Sequence, residues 1–245
     1  ERGPRGSTPR SDQGDKMLAI TSLSSAAFSK SGLSVPLVTF DGAAGTTFDF
    51  TVLNDPVMGG RSHASWSVAG GVGVLDGEVV DVPSLQAPGF VTAVANGKFA
   101  DASSVASGGL TLLVRSSTPT YSGYRVSLYS GFGSGTYSCA GGGGIPFSRG
   151  CFKGKFAVPA GRSFSEVYIP FSNFTDLWSS ATGEPTATCA TDSSACLTAS
   201  ALASVKRVEL WAEGVSGKVQ LEVKAVAASA SAVSAATALT AITAA

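Results

Sequence analysis

Asn54-Asp55-Pro56-Val57-Met58-Gly59-Gly60-Arg61-Ser62 separates two strand-like runs, Thr47-Phe48-Asp49-Phe50-Thr51-Val52-Leu53 and Ala64-Ser65-Trp66-Ser67-Val68. Pro56 fixes its own φ and drives Asp55 out of the helical region. Gly59 and Gly60 permit positive φ, and Asn54 and Asp55 can turn their side chains back onto nearby amides. Met58 is apolar in the middle of a polar turn. A bare turn needs no such set, so the stretch reads as a shaped feature between two strands. Two readings compete. In one, Asn54, Asp55 and Arg61 tie the turn together, with Arg61 paired to Asp55 or Asp49. In the other, Asn54, Asp55, Met58, Gly59, Gly60 and Arg61 form a docking surface, since polarisable Met and forked Arg are favoured at interfaces.

Outward from this turn, runs rich in Val, Phe, Tyr, Leu and Thr recur between Gly, Pro, Asn, Asp and Ser. They predict strands at 35–40, 47–53, 64–68, 71–75, 77–82, 89–94, 109–115, 123–129, 152–157, 164–170, 205–212 and 217–226. Val205-Lys206-Arg207-Val208-Glu209-Leu210-Trp211 and Lys218-Val219-Gln220-Leu221-Glu222-Val223-Lys224 alternate, which predicts one apolar and one wet face for each. Glu213-Gly214-Val215-Ser216-Gly217 between them reads as a hairpin loop. One short helical turn is expected at 198–204, and no long amphipathic helix. Many short strands with Gly-rich turns mean an all-β sandwich or jelly roll over 35–226, flanked by an N-terminal arm (1–34) and an Ala/Ser/Thr-rich tail (227–245).

The turn and several later landmarks resemble the complex I intermediate-associated protein 30 family. That family typically carries an Asn-Asp-x-Met-Gly-Gly-x-Ser segment after its first strand, and this chain reads Asn54-Asp55-Pro56-Val57-Met58-Gly59-Gly60-Arg61-Ser62. Pro88-Gly89-Phe90 stands where the family has Gly-Gly-Phe. Leu110-Thr111-Leu112-Leu113-Val114-Arg115 resembles its central strand, and Tyr124-Arg125-Val126 follows. Val167-Tyr168-Ile169-Pro170-Phe171-Ser172-Asn173-Phe174 resembles its late segment with paired phenylalanines. The resemblance spans roughly residues 35–226. It implies a galactose-binding-like β-sandwich with an assembly or accessory role, and no catalytic residues. Asp-Gly-Arg, common in the family before the central Tyr, is replaced here by Ser116-Ser117-Thr118-Pro119-Thr120-Tyr121, so a shared ligand contact there does not carry over.

The composition narrows the partners. Of 245 residues 44% are hydrophobic, sufficient for a core, while only 14% are charged and the formal net charge is zero. Without a basic stripe, nucleic acid is not expected as a partner. A weakly charged surface suits burial against other proteins, and equally suits a secreted or lumenal β protein. The four cysteines fall in two close pairs, Cys139/Cys151 around a Gly-rich loop and Cys189/Cys196 inside a polar insertion that Trp178 opens. Neither spacing is a zinc pattern. Local disulfides 139–151 and 189–196 are expected, with crossed pairing and reduced thiols as alternatives; disulfides would mean an oxidising compartment. A stapled insertion is expected to be an ordered contact loop, with Trp178 at a partner surface.

The ends are less specific. Residues 1–16 read as a disordered arm or one lying on a partner. Residues 17–28 read as an ordinary mature segment or as the remnant of a targeting segment whose Ala27-Phe28 resembles a plastid-leader junction. Residues 225–245 hold few large apolar side chains, which favours a frayed or docked tail over a membrane span.

Candidate chemistry is sparse. The single histidine, His63, neighbours Ser62, but adjacent strand side chains face opposite ways and make no triad. Asp49, Asp55, Glu78, Glu166, Glu209 and Glu213 are the carboxylates a glycosidase would draw on, and nothing in the sequence places two across a cleft. The glycines 141–144 lack a following Gly-Lys-Ser/Thr and do not form a phosphate loop. Asn173-Phe174-Thr175 is a glycosylation sequon. Trp66, Tyr121, Tyr124, Tyr129, Tyr137 and Trp178 are core residues or a sugar-stacking platform. The expectation is therefore a protein without catalytic residues, metal or cofactor. It would dock on subunits of a membrane-bound electron-transfer complex, peripheral to the membrane. The first choice is a photosystem-associated subunit in the plastid thylakoid lumen. The alternatives are a mitochondrial complex I assembly factor and a carbohydrate-binding module.

Overall fold

The structure, a computed structural model, describes Gly3 and residues 33–55, 59–133, 139, 141–144 and 148–231. The expectations for residues 1–32 other than Gly3, for Met58, for Tyr137 and for the tail beyond 231 lie outside these. The strands are β1 (Ser34–Thr39), β2 (Phe50–Asn54), β3 (His63–Ala69), β4 (Val72–Val79), β5 (Asp81–Val82), β6 (Ala87–Pro88), β7 (Phe90–Asn96), β8 (Gly109–Ser116), β9 (Tyr124–Tyr129), β10 (Cys151–Lys155), β11 (Ser165–Pro170), β12 (Arg207–Glu213) and β13 (Gly217–Ser229). The first sheet runs β11-β8-β13-β4-β3, with β1 beside the second half of β13. The second runs β10-β9-β12-β7-β2, and β5 and β6 form a small ribbon. All pairings are antiparallel. This is the expected sandwich.

Alternation supplies the core. Leu110, Leu112 and Val114 from β8 and Val219, Leu221 and Val223 from β13 face Val126 and Leu128 from β9 and Val208 and Leu210 from β12; all are buried. Each such Val or Leu contributes roughly 1.5–3 kcal/mol on removal from water. The separate expectations for 71–75 and 77–82 merge into β4 and the start of β5. Strand β13 runs on to Ser229, past the point where large apolar residues cease. A bulge between Val223 and Ala225 switches its inward face from 219, 221, 223 to Val226 and Ala228, and β1 pairs with the added stretch. The bulge turns Val226 and Ala228 into the sandwich where unbroken alternation would have turned Ala225 and Ala227 toward it.

The helical turn expected near 198 is α1 (Ala199–Leu202), whose N-cap Thr198 hydroxyl accepts from the Ala201 amide at 3.2 Å. Among the described residues no helix is long and apolar enough to cross a membrane.

Candidate functional site

One prediction needs correction: the second face of β12 is not wet. Residues 207, 209, 211 and 213 point away from the core, as alternation requires, yet Arg207, Glu209, Trp211 and Glu213 are 7, 1, 3 and 4% exposed. Register aligns them with Tyr129, Ser127 and Arg125 on β9, and these with Cys151, Lys153 and Lys155 on β10. The outer face of the second sheet is therefore polar and charged but roofed. The roof comes from the two stapled loops. Cys139 bonds Cys151 and Cys189 bonds Cys196, the local pairing expected from sequence. Trp178 lies over the sheet, its indole N–H donating to the Cys151 carbonyl at 3.2 Å and its amide to the Gly142 carbonyl at 3.0 Å. Trp178 is thus placed inside, 3% exposed, rather than at a partner surface. The reason is the cation beneath it.

That cation is Lys153. Its Nζ lies 3.4 Å from the centroid of the Trp178 ring and 3.9 Å from that of Trp211, and donates to Glu213 Oε1 at 2.6 Å. Two ring faces and a carboxylate replace the water it has lost. Burial pushes the Lys153 pKa down, and the Glu213 charge works against that shift. Beside it, the Glu209 carboxylate accepts from Ser127 Oγ and Trp211 Nε1, both at 2.8 Å, with Arg207 Nη1 at 3.4 Å. Burial pushes the Glu209 pKa above the ordinary carboxylate range, opposed by these hydrogen bonds and by Arg207. A carboxyl raised on folding stabilises the fold fully below its unfolded pKa and loses that contribution as pH rises through the folded value. Glu209→Gln should therefore flatten the decline in stability from the ordinary carboxylate range upward. Denaturant midpoints taken across pH check this, and an unchanged slope would count against a buried carboxyl that resists ionisation.

At the β10 edge the charged row opens into a cleft of about 740 Å³. Lys155 and the end of Arg125 form one side, and Glu184, from the insertion, spans them: its Oε1 accepts from Arg125 Nη2 at 2.7 Å and Lys155 Nζ at 2.8 Å. The hydrogen bond from Lys155 holds the Glu184 carboxyl below the ordinary range, helped by Arg125. Phe174 and Trp178 border the cleft, but their ring faces are buried. Of the aromatic residues considered for sugar stacking, Tyr121, Tyr124, Tyr129 and Trp178 are buried, and the half-buried Trp66 stacks on Phe50 at 4.7 Å.

The turn after β2 carries the chain from the second sheet to β3 in the first. Asn54 Oδ1 accepts from the Ala64 amide at 2.8 Å, and Asp55 is buried. Ser62 Oγ accepts from the Val80 amide at 3.0 Å and donates to the Val80 carbonyl. A Cβ on Gly60 would stand 2.5 Å from Asp55 Cγ, and one on Gly89 would stand 2.5 Å from Ser62 Oγ and against Asp55 Oδ2. Arg61 and Gly59 are exposed, and among the described residues Arg61 makes no ion pair with Asp49 or Asp55.

The arrangement offers little chemistry. The Ser62 hydroxyl is held by backbone, and His63 is exposed with Nδ1 at 3.3 Å from the Arg61 carbonyl. Ligand atoms of Cys139, Cys151 and Glu209 lie within 4.8 Å of one another, but the two sulfurs are joined and have no thiolate to give a metal.

The family model of complex I intermediate-associated protein 30 matches residues 38–194, from within β1 through the Cys139–Cys151 loop and into the Cys189–Cys196 loop. The chain belongs to the complex I intermediate-associated protein 30 family. This is a family of assembly factors. No curated protein sequence matches the chain. Among solved structures, the family 11 carbohydrate-binding module from Clostridium thermocellum, in complex with a β-1,3-1,4-mixed-linked tetrasaccharide, is similar at 13% identity over 79% of this chain and 94% of its own, with a TM-score of 0.43. The family 11 module of the cellulosomal cellulase Lic26A-Cel5E of the same organism gives 12%, 83%, 99% and 0.45. The glycoside hydrolase domain of Endo-D from Streptococcus pneumoniae R6 gives 11%, 74%, 21% and 0.34.

Two landmarks of the complex I intermediate-associated protein 30 family meet in space. Gly89, of the Pro88-Gly89-Phe90 landmark, closes over Asp55 and Ser62 of the signature turn. Phe171 and Phe174 are both core residues, their rings 5.9 Å apart. Sequence reasoning missed Arg125, Lys153 and Glu184. For Arg125 and Lys153 the available signal was charge alternating with inward-facing residues on a strand; Glu184 lies in the insertion, where no periodicity marks it.

Proposed function

We propose that this member of the complex I intermediate-associated protein 30 family is a non-catalytic sandwich that docks on proteins. It would serve as an accessory subunit or assembly factor of a membrane-bound electron-transfer complex. Membership of an assembly-factor family supports the reading. The observation that carries it is that Glu209 and Glu213, the two carboxylates sharing one sheet face, are closed under Trp178 and Trp211 and engaged by Lys153, Arg207 and Ser127. A general acid or base must reach substrate, and these do not.

Within this class, a resident photosystem-associated subunit in the thylakoid lumen, peripheral to the membrane, is the first setting. Two disulfides suit an oxidising compartment. The second setting is assembly of respiratory complex I in the mitochondrion, which the family's description favours. The exposed part of the signature turn, Gly59 and Arg61, is the proposed contact, with Asp55 holding it from within. Native pull-down from solubilised organelle membranes, with mass spectrometry of co-migrating subunits, tests this. Stoichiometric photosystem subunits are the expected result. Substoichiometric complex I intermediates would select the second setting. A lone monomer would overturn the docking reading.

A further inference from the structure

We propose that the cleft beside β10 is a carboxylate-binding site for an acidic segment of a partner polypeptide, and that Glu184 fills it in cis until the partner arrives. The inference rests on the docking reading only for the ligand being a polypeptide.

Arg125 is 2% exposed, and three of its four hydrogen-bond and ion-pair directions turn inward. Nη1 donates to the Gly123 and Glu213 carbonyls at 3.3 and 2.9 Å, and Nε faces the Glu213 carboxylate at 3.7 Å. Nη2 points to the cleft and meets Glu184. Lys155, half-exposed, reaches the same oxygen from the solvent side. Three cations, Arg125, Lys153 and Lys155, thus face two carboxylates, Glu184 and Glu213. Glu213 is held by Lys153 at 2.6 Å and by Arg125 Nε only at 3.7 Å, so the cleft-facing Arg125 Nη2 and Lys155 Nζ share Glu184. If Glu184 leaves, a buried guanidinium loses its nearest carboxylate, and only another anion restores it. That makes the opened site selective for negative charge.

Glu184 is loosely mounted. It is half-exposed, in a turn closed by Ser179 N to Glu184 O at 2.8 Å and Gly183 N to Ser179 O at 2.7 Å. Ser180 and Ala181 at its tip are exposed. The turn touches the sheet through Gly183, whose missing side chain lets its backbone lie on the Glu213 carboxylate and Arg125. With so little buried apolar surface the turn itself resists opening weakly, and the two ion pairs of Glu184 are what hold it closed. The volume exceeds what one carboxylate fills and lies in the range of ligand sites. Pro185, Thr188 and Asn173 continue the wall beyond the charges, as needed by a chain flanking an acidic side chain.

The test is fluorescence anisotropy with a short Asp/Glu-rich peptide and its Asn/Gln counterpart, on the full chain and on Glu184→Gln and Lys155→Ala. Removing the internal competitor is expected to tighten binding of the acidic peptide by up to about tenfold, as expected when the open form is a minor population. Lys155→Ala should weaken it severalfold, and the Asn/Gln peptide should bind neither variant. Both substitutions fall on half-exposed side chains, and an unchanged melting temperature confirms the fold. Equal or weaker binding by Glu184→Gln would make Glu184 a structural clasp and overturn the proposal. So would binding of a polyuronate with no binding of the peptide. If neither variant alters recovery of the membrane complex and the peptide does not bind, the cleft proposal fails while the docking reading stands; if no complex is recovered from wild type either, the docking reading has failed on its own.

Discussion

Lys153→Met is expected to destabilise the protein by about 3–5 kcal/mol, since it strands a buried carboxylate without its partner. Methionine is close to lysine in shape, and its thioether packs well between two indoles, so the slot between Trp178 and Trp211 stays filled. The loss then reports charge rather than volume. Arg125 Nε at 3.7 Å from Glu213 offers partial compensation, which points to the lower end of the range. Lys153→Met combined with Glu213→Leu should recover most of the loss, because neutralising both partners removes the desolvation cost along with the attraction. Urea midpoints of the two single variants and the double variant close the cycle. Additive losses would show that Lys153 and Glu213 do not act as a pair.

Gly60→Val should cost about 2–3 kcal/mol through overpacking, without any contribution from backbone strain at that residue. The first carbon of the new side chain would lie 2.5 Å from Asp55 Cγ and 2.7 Å from the Asp55 carbonyl oxygen, and backbone cannot step aside as a side chain can. Gly89→Ala meets the side chains of Asp55 and Ser62 instead. Combined with Asp55→Ala, its penalty should be less than additive. A Gly60→Val protein with the wild-type midpoint would mean that the turn does not close on Asp55.

The strands were legible because their signal is local. Val219, Leu221 and Val223 declare their face by position alone. The disulfide partners were legible because each pair sits in its own loop. The signature turn was legible as a turn but not as a lock, since Gly60 is explained by Asp55 only together with Gly89, twenty-nine positions on. The charged face was misread for a similar reason. Arg207 and Glu209 alternate with Val208 and Leu210 as they would on any half-solvated strand. What covers this face comes from loops: Trp178, in a polar insertion with no periodicity of its own, lies over Lys153 and Trp211, and the Cys139–Cys151 staple lies beside Glu209. Alternation tells which way a side chain points, and says nothing of what another loop lays on top.

Strand β13 has a consequence for the order in which this molecule comes into being. It is the shared neighbour of β8, β4 and β1. Without it the first sheet falls into a β11–β8 pair, a β4–β3 pair and a single strand. Yet it is the last described strand to leave the ribosome. The strands of the first sheet that precede residue 217 emerge with no common seam to close upon, and their long-range pairings wait for β13. Until that seam is made, the β11–β8 pair, the β4–β3 pair and β1 stay separate, and the first face of the sandwich is closed by its final strand rather than by its first contacts.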